Sequence, residues 1–379
     1  MIYFDNSATT KPHPDVLSSY TEAAQTYFAN PSSLHRLGGS AEQLLTACRK
    51  QAAQLLRVGE DEILFTSGGT EGNNLAIKGT AYRKKRLGNH IITTAVEHPS
   101  VLETCAELEN QGFKVTYVDV DTFGYVTAEK IEAAITDETI LVSVMHVNNE
   151  LGTIQPIKTI GQMLTAYPKI TYHVDHVQGA GKVALDIKGS HIHLCTLSAH
   201  KFHGVKGSGI LYKDRNTHIA AQLSGGGQEQ ALRSGTENVP GITAMVKALR
   251  LAMEELQNHP AKLFELREKL FGGLEKMDGI VLHSPPAGAP HIVNFSVPGV
   301  KPEVLIHALG EKDIYVSTKS ACSSKNSDAS AVLLACGLPD EQAESAIRVS
   351  FSYENTQEEV SYFLQVLKET LTHLKKVMR

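Results

Sequence analysis

The sequence predicts an α/β fold built on a largely parallel, doubly wound sheet. Between residues 60 and 212, β-like runs alternate with segments of helical periodicity, and strand–helix–strand repetition at this spacing is the wiring of parallel sheets. After "SGGGQEQALRSGTENVPG" the texture changes to long amphipathic helix over about 240–275. At 379 residues the chain exceeds what one ordinary core requires, so two domains are expected, with a boundary inside that helical stretch near residue 255.

The elements read in order. "EILFTS" leads into "TEGNNLAIKGTAYRKK", and "HIITTAVE" into "PSVLETCAELENQG". "KVTYVDV" precedes "TAEKIEAAI", "TILVSVMHV" precedes "IKTIGQMLTAY", and "ITYHVDHV" and "HIHLCTLS" follow as further strands. "GIVLHSPPAGAPHIVNFSVPG" opens a second alternating region that closes in the helix "EEVSYFLQVLKETLTHLKKVMR". Thr356 and Glu359, just before that helix, have capping-box spacing. No internal repeat or low-complexity segment interrupts the pattern.

Composition narrows the function classes. A hydrophobic fraction of 42% and a charged fraction of 20% are those of a soluble globular protein. A formal charge of −5 gives no electrostatic reason for direct nucleic-acid or membrane binding. No apolar run approaches the roughly 20 residues that span a bilayer, and "MIYFDNSATTKPHP" lacks a signal-peptide pattern, so a cytoplasmic location is expected. The five cysteines form no CxxC pair. Cys48, Cys105, Cys195 and Cys336 sit in apolar or helical contexts and read as core thiols. Cys322 differs: "STKSACSSKNSDAS" is small and polar, the composition of an exposed mobile loop, and Lys319 and Lys325 could favour its thiolate.

Ligands of such sheets bind at the carboxyl ends of the strands, and polar groups gather there. "LFTSGGTEGNN" is a β run, a glycine turn and then Thr70 at a helix start. Such a turn can cradle phosphate, or simply cap a helix. There is no GxxxxGK[ST] pattern and no strand-linked GxGxxG, so a nucleotide site is not supported. His98 in "VEHPS" and Asn149 in "HVNNELG" end strands, as pocket residues or as plain turn residues. Asp175 lies in the apolar "YHVDHVQGAG", where burying a carboxylate demands a cationic partner such as a pyridinium, an arginine or a metal. Gln178 joins it at one ligand only if the strand breaks near His176. His191, His193 and Cys195 fall on one face of a strand, but such alternating residues rarely close a zinc tetrahedron, and no metal is expected. Lys201, in "TLSAHKFHGVKGSGILY", completes the set. A phosphate-cradling turn, a buried carboxylate and a strand-end lysine together fit pyridoxal 5'-phosphate.

These residues, in this order, resemble the NifS/IscS-like cysteine desulfurases of the class V group of fold-type I pyridoxal-phosphate enzymes. The resemblance spans essentially the whole chain: "YFDNSATT", "NPSSLH", "SGGTEGNN", "VEHPSV", "VNNELGTIQP", "HVDHVQ", "SAHKFHGVKGSG", "RSGTENVPG", "SACSS" and "IRVSFS". It implies a large domain, 15–255, with a mainly parallel seven-stranded sheet between helices. It also implies a smaller α+β domain, 1–14 and 256–379, carrying the catalytic cysteine loop.

The roles follow from the same resemblance. Lys201 would be the Schiff-base lysine, Asp175 the partner of the pyridinium and Gln178 that of the ring hydroxyl, with His98 over the ring. Thr70, Ser198 and His200 would hold the phosphate with backbone from Gly69. Thr236 would reach the cofactor of a second subunit, which implies a homodimer. Asn149 would lie near substrate and ring, and Arg348 would bind the carboxylate of L-cysteine. Cys322 would be the nucleophile that carries persulfide sulfur to a protein acceptor in iron–sulfur cluster assembly or tRNA thiolation. The alternative reading is a selenocysteine lyase or another class V lyase or aminotransferase. Three departures stand out: Lys319 where the family favours glycine, Ala329 where proline is usual, and Gln230-Ala231 in place of an arginine–glycine pair.

Overall fold

The computed structural model describes residues 1–318 and 329–377. Cys322 and Lys319 therefore lie outside the described residues. The strands are β1 (Ile2–Tyr3), β2 (Ile63–Thr66), β3 (His90–Thr94), β4 (Lys114–Val118), β5 (Thr139–Met145), β6 (Thr171–Asp175), β7 (Leu194–Ser198), β8 (Gly209–Lys213), β9 (Val281–Leu282), β10 (Ile292–Ser296), β11 (Ile314–Tyr315) and β12 (Ala346–Ser350). The helices are α1 (Pro14–Thr26), α2 (Arg36–Leu56), α3 (Gly69–Lys84), α4 (Pro99–Glu109), α5 (Ala128–Ala133), α6 (Ile157–Leu164), α7 (Val239–Asn258), α8 (Lys262–Leu274), α9 (Pro302–Gly310), α10 (Ala331–Ala335), α11 (Asp340–Glu344) and α12 (Gln357–Val377).

The expected α/β architecture holds. Seven strands form one sheet in the order β2-β8-β7-β6-β5-β3-β4. All neighbours pair in parallel except β8, which is antiparallel to both β7 and β2. Two reversals leave β2 running the same way as β7. The carboxyl ends of β2, β3, β5, β6 and β7 thus share one edge of the sheet. Every residue of β5 and β6 is buried, the pattern of strands covered by helices on both faces. A fully buried valine, leucine or isoleucine there is worth about 1.5–3 kcal/mol over an exposed one.

Two main apolar cores are separate from one another. One gathers Val16, Cys195, Tyr212 and Leu249 around the large sheet and the helices α1, α2 and α7. The other gathers Phe4, Leu263, Phe295 and Phe363 around the antiparallel sheet β12-β10-β9 and the parallel pair β1-β11. Cys48, Cys105, Cys195 and Cys336 are all buried free thiols, as their contexts predict. At the last helix, Glu359 accepts from Thr356 N at 3.1 Å while Thr356 Oγ1 accepts from Glu359 N at 3.2 Å, the reciprocal cap read from the sequence.

One strand start differs from expectation. β7 begins at Leu194, because His191 adopts a left-handed φ of 53° in the turn before it. His191, His193 and Cys195 therefore do not share a strand face.

The Gln230-Ala231 departure has a structural cost. Glu229, Gln230 and Ala231 are consecutive left-handed residues at φ 45°, 61° and 58°. They are held by the buried Glu229 carboxylate, which pairs with Arg49 at 2.6 Å and accepts from Phe65 N at 2.8 Å. A left-handed non-glycine residue costs about 1–2 kcal/mol, while glycine loses about 0.5–1 kcal/mol more chain entropy on folding. Ala231→Gly is therefore expected to stabilise the protein by about 0.5–1 kcal/mol. An unchanged or lower urea midpoint for the variant would show that the turn carries no such strain.

Candidate active site

The glycine turn after β2 is a backbone device. Gly68 has φ 152°, a region that side chains rarely adopt. A Cβ on Gly69 would stand 2.9 Å from Val177 Cγ2, so the turn packs directly against the exit of β6. α3 starts there and runs for 16 residues, and its first amides and dipole favour an anion. Thr70 sits on its first turn. Ser198, the last residue of β7, lies beside the same glycines, its Oγ 3.6 Å from where a Gly68 Cβ would be.

β6 ends at Asp175, which is 5% exposed, and the chain breaks at His176 as the shared approach of Asp175 and Gln178 requires. Val177 N donates to Asp175 Oδ1 at 2.9 Å and Asn73 Nδ2 donates to Oδ2 at 2.7 Å. Asn73 Nδ2 also reaches Ser100 Oγ at 2.9 Å, and Ser100 Oγ lies 2.8 Å from His98 Nδ1. A relay of hydrogen bonds thus joins His98 to Asp175. His98 Nδ1 additionally accepts from Ser100 N at 3.1 Å as the cap of α4, which places the proton of the neutral ring on Nε2. Burial depresses the His98 pKa, the Asp175 carboxylate opposes that shift and Lys201 adds to it.

Lys201 closes a short 3₁₀ turn, Ala199–Lys201, directly after β7. Its Nζ donates to the carbonyl of Ser7 and, at 3.0 Å, to that of Ala8. His200 Nδ1 meets Thr9 Oγ1 at 3.2 Å, and burial, then Lys201, push the His200 pKa down to about 4. Gln178 Nε2 donates to the Ser7 carbonyl at 2.9 Å. On the facing side, Arg348 projects from β12 and is 1% exposed. Its Nη1 donates to the Asn149 carbonyl at 2.8 Å and its Nη2 to Asp5 Oδ1 at 3.0 Å.

Gly69, Thr70, His98, Asn149, Asp175, Gln178, Ser198, His200, Lys201 and Arg348 all line one cavity of about 150 Å³. Thr236 is not among its walls and lies exposed. Sequence reading missed Ser7, Ala8, Asn73 and Ser100, which also line the cavity. Asn73 carried a signal, since it stands three residues after Thr70 on the same helix face. Ser7 and Ala8 carried none beyond belonging to "YFDNSATT".

The donor set suits a small, dense polar ligand. Twelve buried side-chain atoms among the described residues lack a hydrogen-bond partner. Five of them belong to this cavity wall: Ser7 Oγ, Asn73 Oδ1, Asn149 Oδ1, Gln178 Oε1 and Arg348 Nε. Each such orphan costs about 1–3 kcal/mol, so their concentration around one cavity fits a molecule that bonds to several at once. A glycine turn at a helix N-terminus for a phosphate and a buried carboxylate for a ring nitrogen fit pyridoxal phosphate.

Comparisons with known proteins agree. The aminotransferase class-V family model matches residues 2–363. A "NifS/IcsS protein homolog" from Lactobacillus delbrueckii subsp. bulgaricus is 49% identical over 380 residues, covering 100% of this chain and 99% of that protein. The "Cysteine desulfurase IscS" of Clostridium botulinum is 44% identical over 374 residues, covering 98% and 94%. Among solved structures, a "NIFS-like protein" superposes with a TM-score of 0.92 at 38% identity, covering 98% of this chain and 99% of that one.

Proposed function

The chain belongs to the aminotransferase class-V family and is a cysteine desulfurase that works with pyridoxal phosphate; from that premise we propose how its residues divide the reaction. The carrying observation is the set of five partnerless buried atoms around one cavity that also holds Asp175 and Lys201.

Pyridoxal phosphate, when bound, supplies an electron sink for the pair left as the Cα–H bond of L-cysteine breaks. Thr70, Ser198, His200 and the Gly69 amide hold its phosphate at the start of α3. Asp175 would pair with the ring nitrogen, Gln178 would bond to the ring hydroxyl, and His98 would lie beside the ring. Lys201 Nζ would hold the cofactor, and its amine would take up the Cα proton. Arg348 receives the substrate carboxylate through its planar fork, and Asn149 lies beside both substrate and ring.

The nucleophile in this reading is Cys322. Its thiolate attacks the substrate sulfur, forming an S–S bond as the substrate Cβ–S bond breaks. The released electron pair is protonated at Cβ and the proton held by Lys201 returns to Cα, giving L-alanine and a persulfide on Cys322. Four buried cysteines cannot serve, because burial raises the pKa of each, that of Cys105 to about 12.

Three wider readings accompany this one. The chain divides into a large domain, 15–255, and a small one, 1–14 with 256–379; Phe4 and Val16, and Leu249 and Leu263, join different cores on either side of these limits. It acts as a homodimer in which the exposed Thr236 reaches the partner's cofactor. It hands sulfur to a protein of iron–sulfur assembly or tRNA thiolation in the cytoplasm; no helix among the described residues is long and apolar enough to cross a membrane.

The test supplies L-cysteine to the purified holoenzyme and to Cys322→Ala, then quantifies alanine and protein-bound persulfide. Both products are expected from the parent and neither from the variant. Alanine from both at equal rates would remove Cys322 from the chemistry.

A further inference from the structure

A second lysine lies against the backbone of Lys201, and the chemistry above does not explain it. Lys182 follows the exit of β6, seven residues after Asp175, and is 5% exposed. Its Nζ donates a 2.6 Å hydrogen bond to the carbonyl of Lys201. It lines a separate cavity of about 250 Å³ with Phe202, His203, Glu255 and Tyr353, whereas Lys201 faces the smaller polar one. Burial, and then Lys201, push the Lys182 pKa down to about 7.

A buried ammonium is an expensive way to hold one carbonyl, since removing a charge from water costs several kcal/mol. A neutral amide would make the same hydrogen bond. The groups around the pair show what the charge can do. His176, His200, His203 and His291 feel Lys182, and burial is the largest cause of the lowered pKa of each. Asp5, His98 and His200 feel Lys201, and Asp175 lines the same cavity. With the histidines held neutral, Asp5, Asp175 and the Arg348 cation share the cavity side with Lys201, Lys206 lies near His200, and Lys182 stands behind the turn. The two carboxylates favour a proton on Lys201; Lys182, beyond the exit of β6, opposes them from behind the turn, as Arg348 does from the cavity side. An amine beside a second cation loses its proton more readily.

We propose that Lys182 is a positioning residue for Lys201: it fixes the Lys201 carbonyl from behind the turn, and its charge disfavours a proton on Lys201 Nζ. This rests on Lys201 being the amine of the reaction. The effect is largest below about pH 7, where Lys182 carries its charge.

Holoenzyme titrations of Lys182→Gln and Lys182→Met test this. Glutamine keeps a donor for the carbonyl and drops the charge; methionine drops both. The first readout is the pH midpoint of the bound-cofactor absorbance change that follows protonation at Lys201 Nζ. The second is the acid limb of kcat/KM for L-cysteine. Both are expected to move up by about one pH unit in either variant, with the Lys182→Gln rate recovering at higher pH. A parent-like midpoint in folded Lys182→Gln, or an equal loss of rate at every pH, overturns the proposal. Failure of both variants to fold overturns it too, by making Lys182 a stability residue. Lys201→Ala serves as the separate control. If borohydride still fixes the cofactor to that protein, the assignment of Lys201 fails, whatever Lys182 does.

Discussion

Lys201→Ala is expected to lower alanine formation on the order of 10⁴-fold, the upper range for loss of a positioned proton-transfer group. The structure separates this loss from a folding defect. In the cofactor-free protein Lys201 Nζ donates to the carbonyls of Ser7 and Ala8, so alanine strands the Ala8 carbonyl and leaves Ser7 with Gln178 alone. Hydrogen bonds to a charged group contribute about 1.5–3 kcal/mol, and the variant should lose stability of that order. Lys201→Arg can still reach those carbonyls, but its guanidinium neither gives up a proton at neutral pH nor carries the cofactor. Arginine is thus expected to restore most of the urea midpoint and none of the turnover. Turnover within tenfold of the parent in either variant would remove Lys201 from the proton transfer. A matching loss of stability in both would make it a structural residue.

The same contacts explain what the sequence could and could not reveal. β5 was legible because both faces are buried and most of its run is apolar, whereas β6 is equally buried although Thr171, His173 and Asp175 are polar. The edge on which His98, Asn149, Asp175 and Lys201 meet followed from parallel topology, which puts strand exits together. The antiparallel course of β8 left no trace in its composition, because a buried strand looks alike in either direction. His191 was misplaced for a related reason: "HIHLC" alternates like a strand, yet the left-handed turn at His191 is chosen by the tertiary structure. The contacts of Asp5 and Ser7 with residues 343 positions away have no local signal at all. The same holds for Lys182, whose partner is a backbone carbonyl that any residue would provide.

The interior also predicts a steep acid limit. His146, His173 and His283 are buried enough to lower their pKa values to about 4, 3 and 4. Each bonds to a neutral partner: His146 Nδ1 to His176 Nδ1 at 2.8 Å, His173 to Ser143 and Thr196, and His283 Nε2 to Ser296 Oγ at 2.8 Å. A histidine with a depressed folded pKa contributes stability that is present above about 6.5 and is lost as pH falls toward the folded value. Each removes ~1.4 kcal/mol per pH unit in that window, so three together remove about 4 kcal/mol per unit. Glu97 works in the opposite direction. Burial raises its pKa to about 8, and its contribution is present below about 4.5 and lost as pH rises toward 8. One carboxyl against three imidazoles leaves the histidines in control below pH 6.5. The paired carboxylates Glu62 and Glu71, whose pKa values are lowered, begin to weaken the fold only below about 4.5. With a total stability of about 5–15 kcal/mol and a net loss of about 3 kcal/mol per pH unit after the Glu97 offset, the protein should unfold cooperatively between about pH 6 and 4, the carboxylates adding to the loss only below about 4.5. Urea midpoints of the holoenzyme from pH 7.5 down to 4.5 measure the slope. A flat profile from 6.5 to 5 would mean the imidazoles take up protons in the folded state, and their neutral hydrogen-bond pairing would then be wrong.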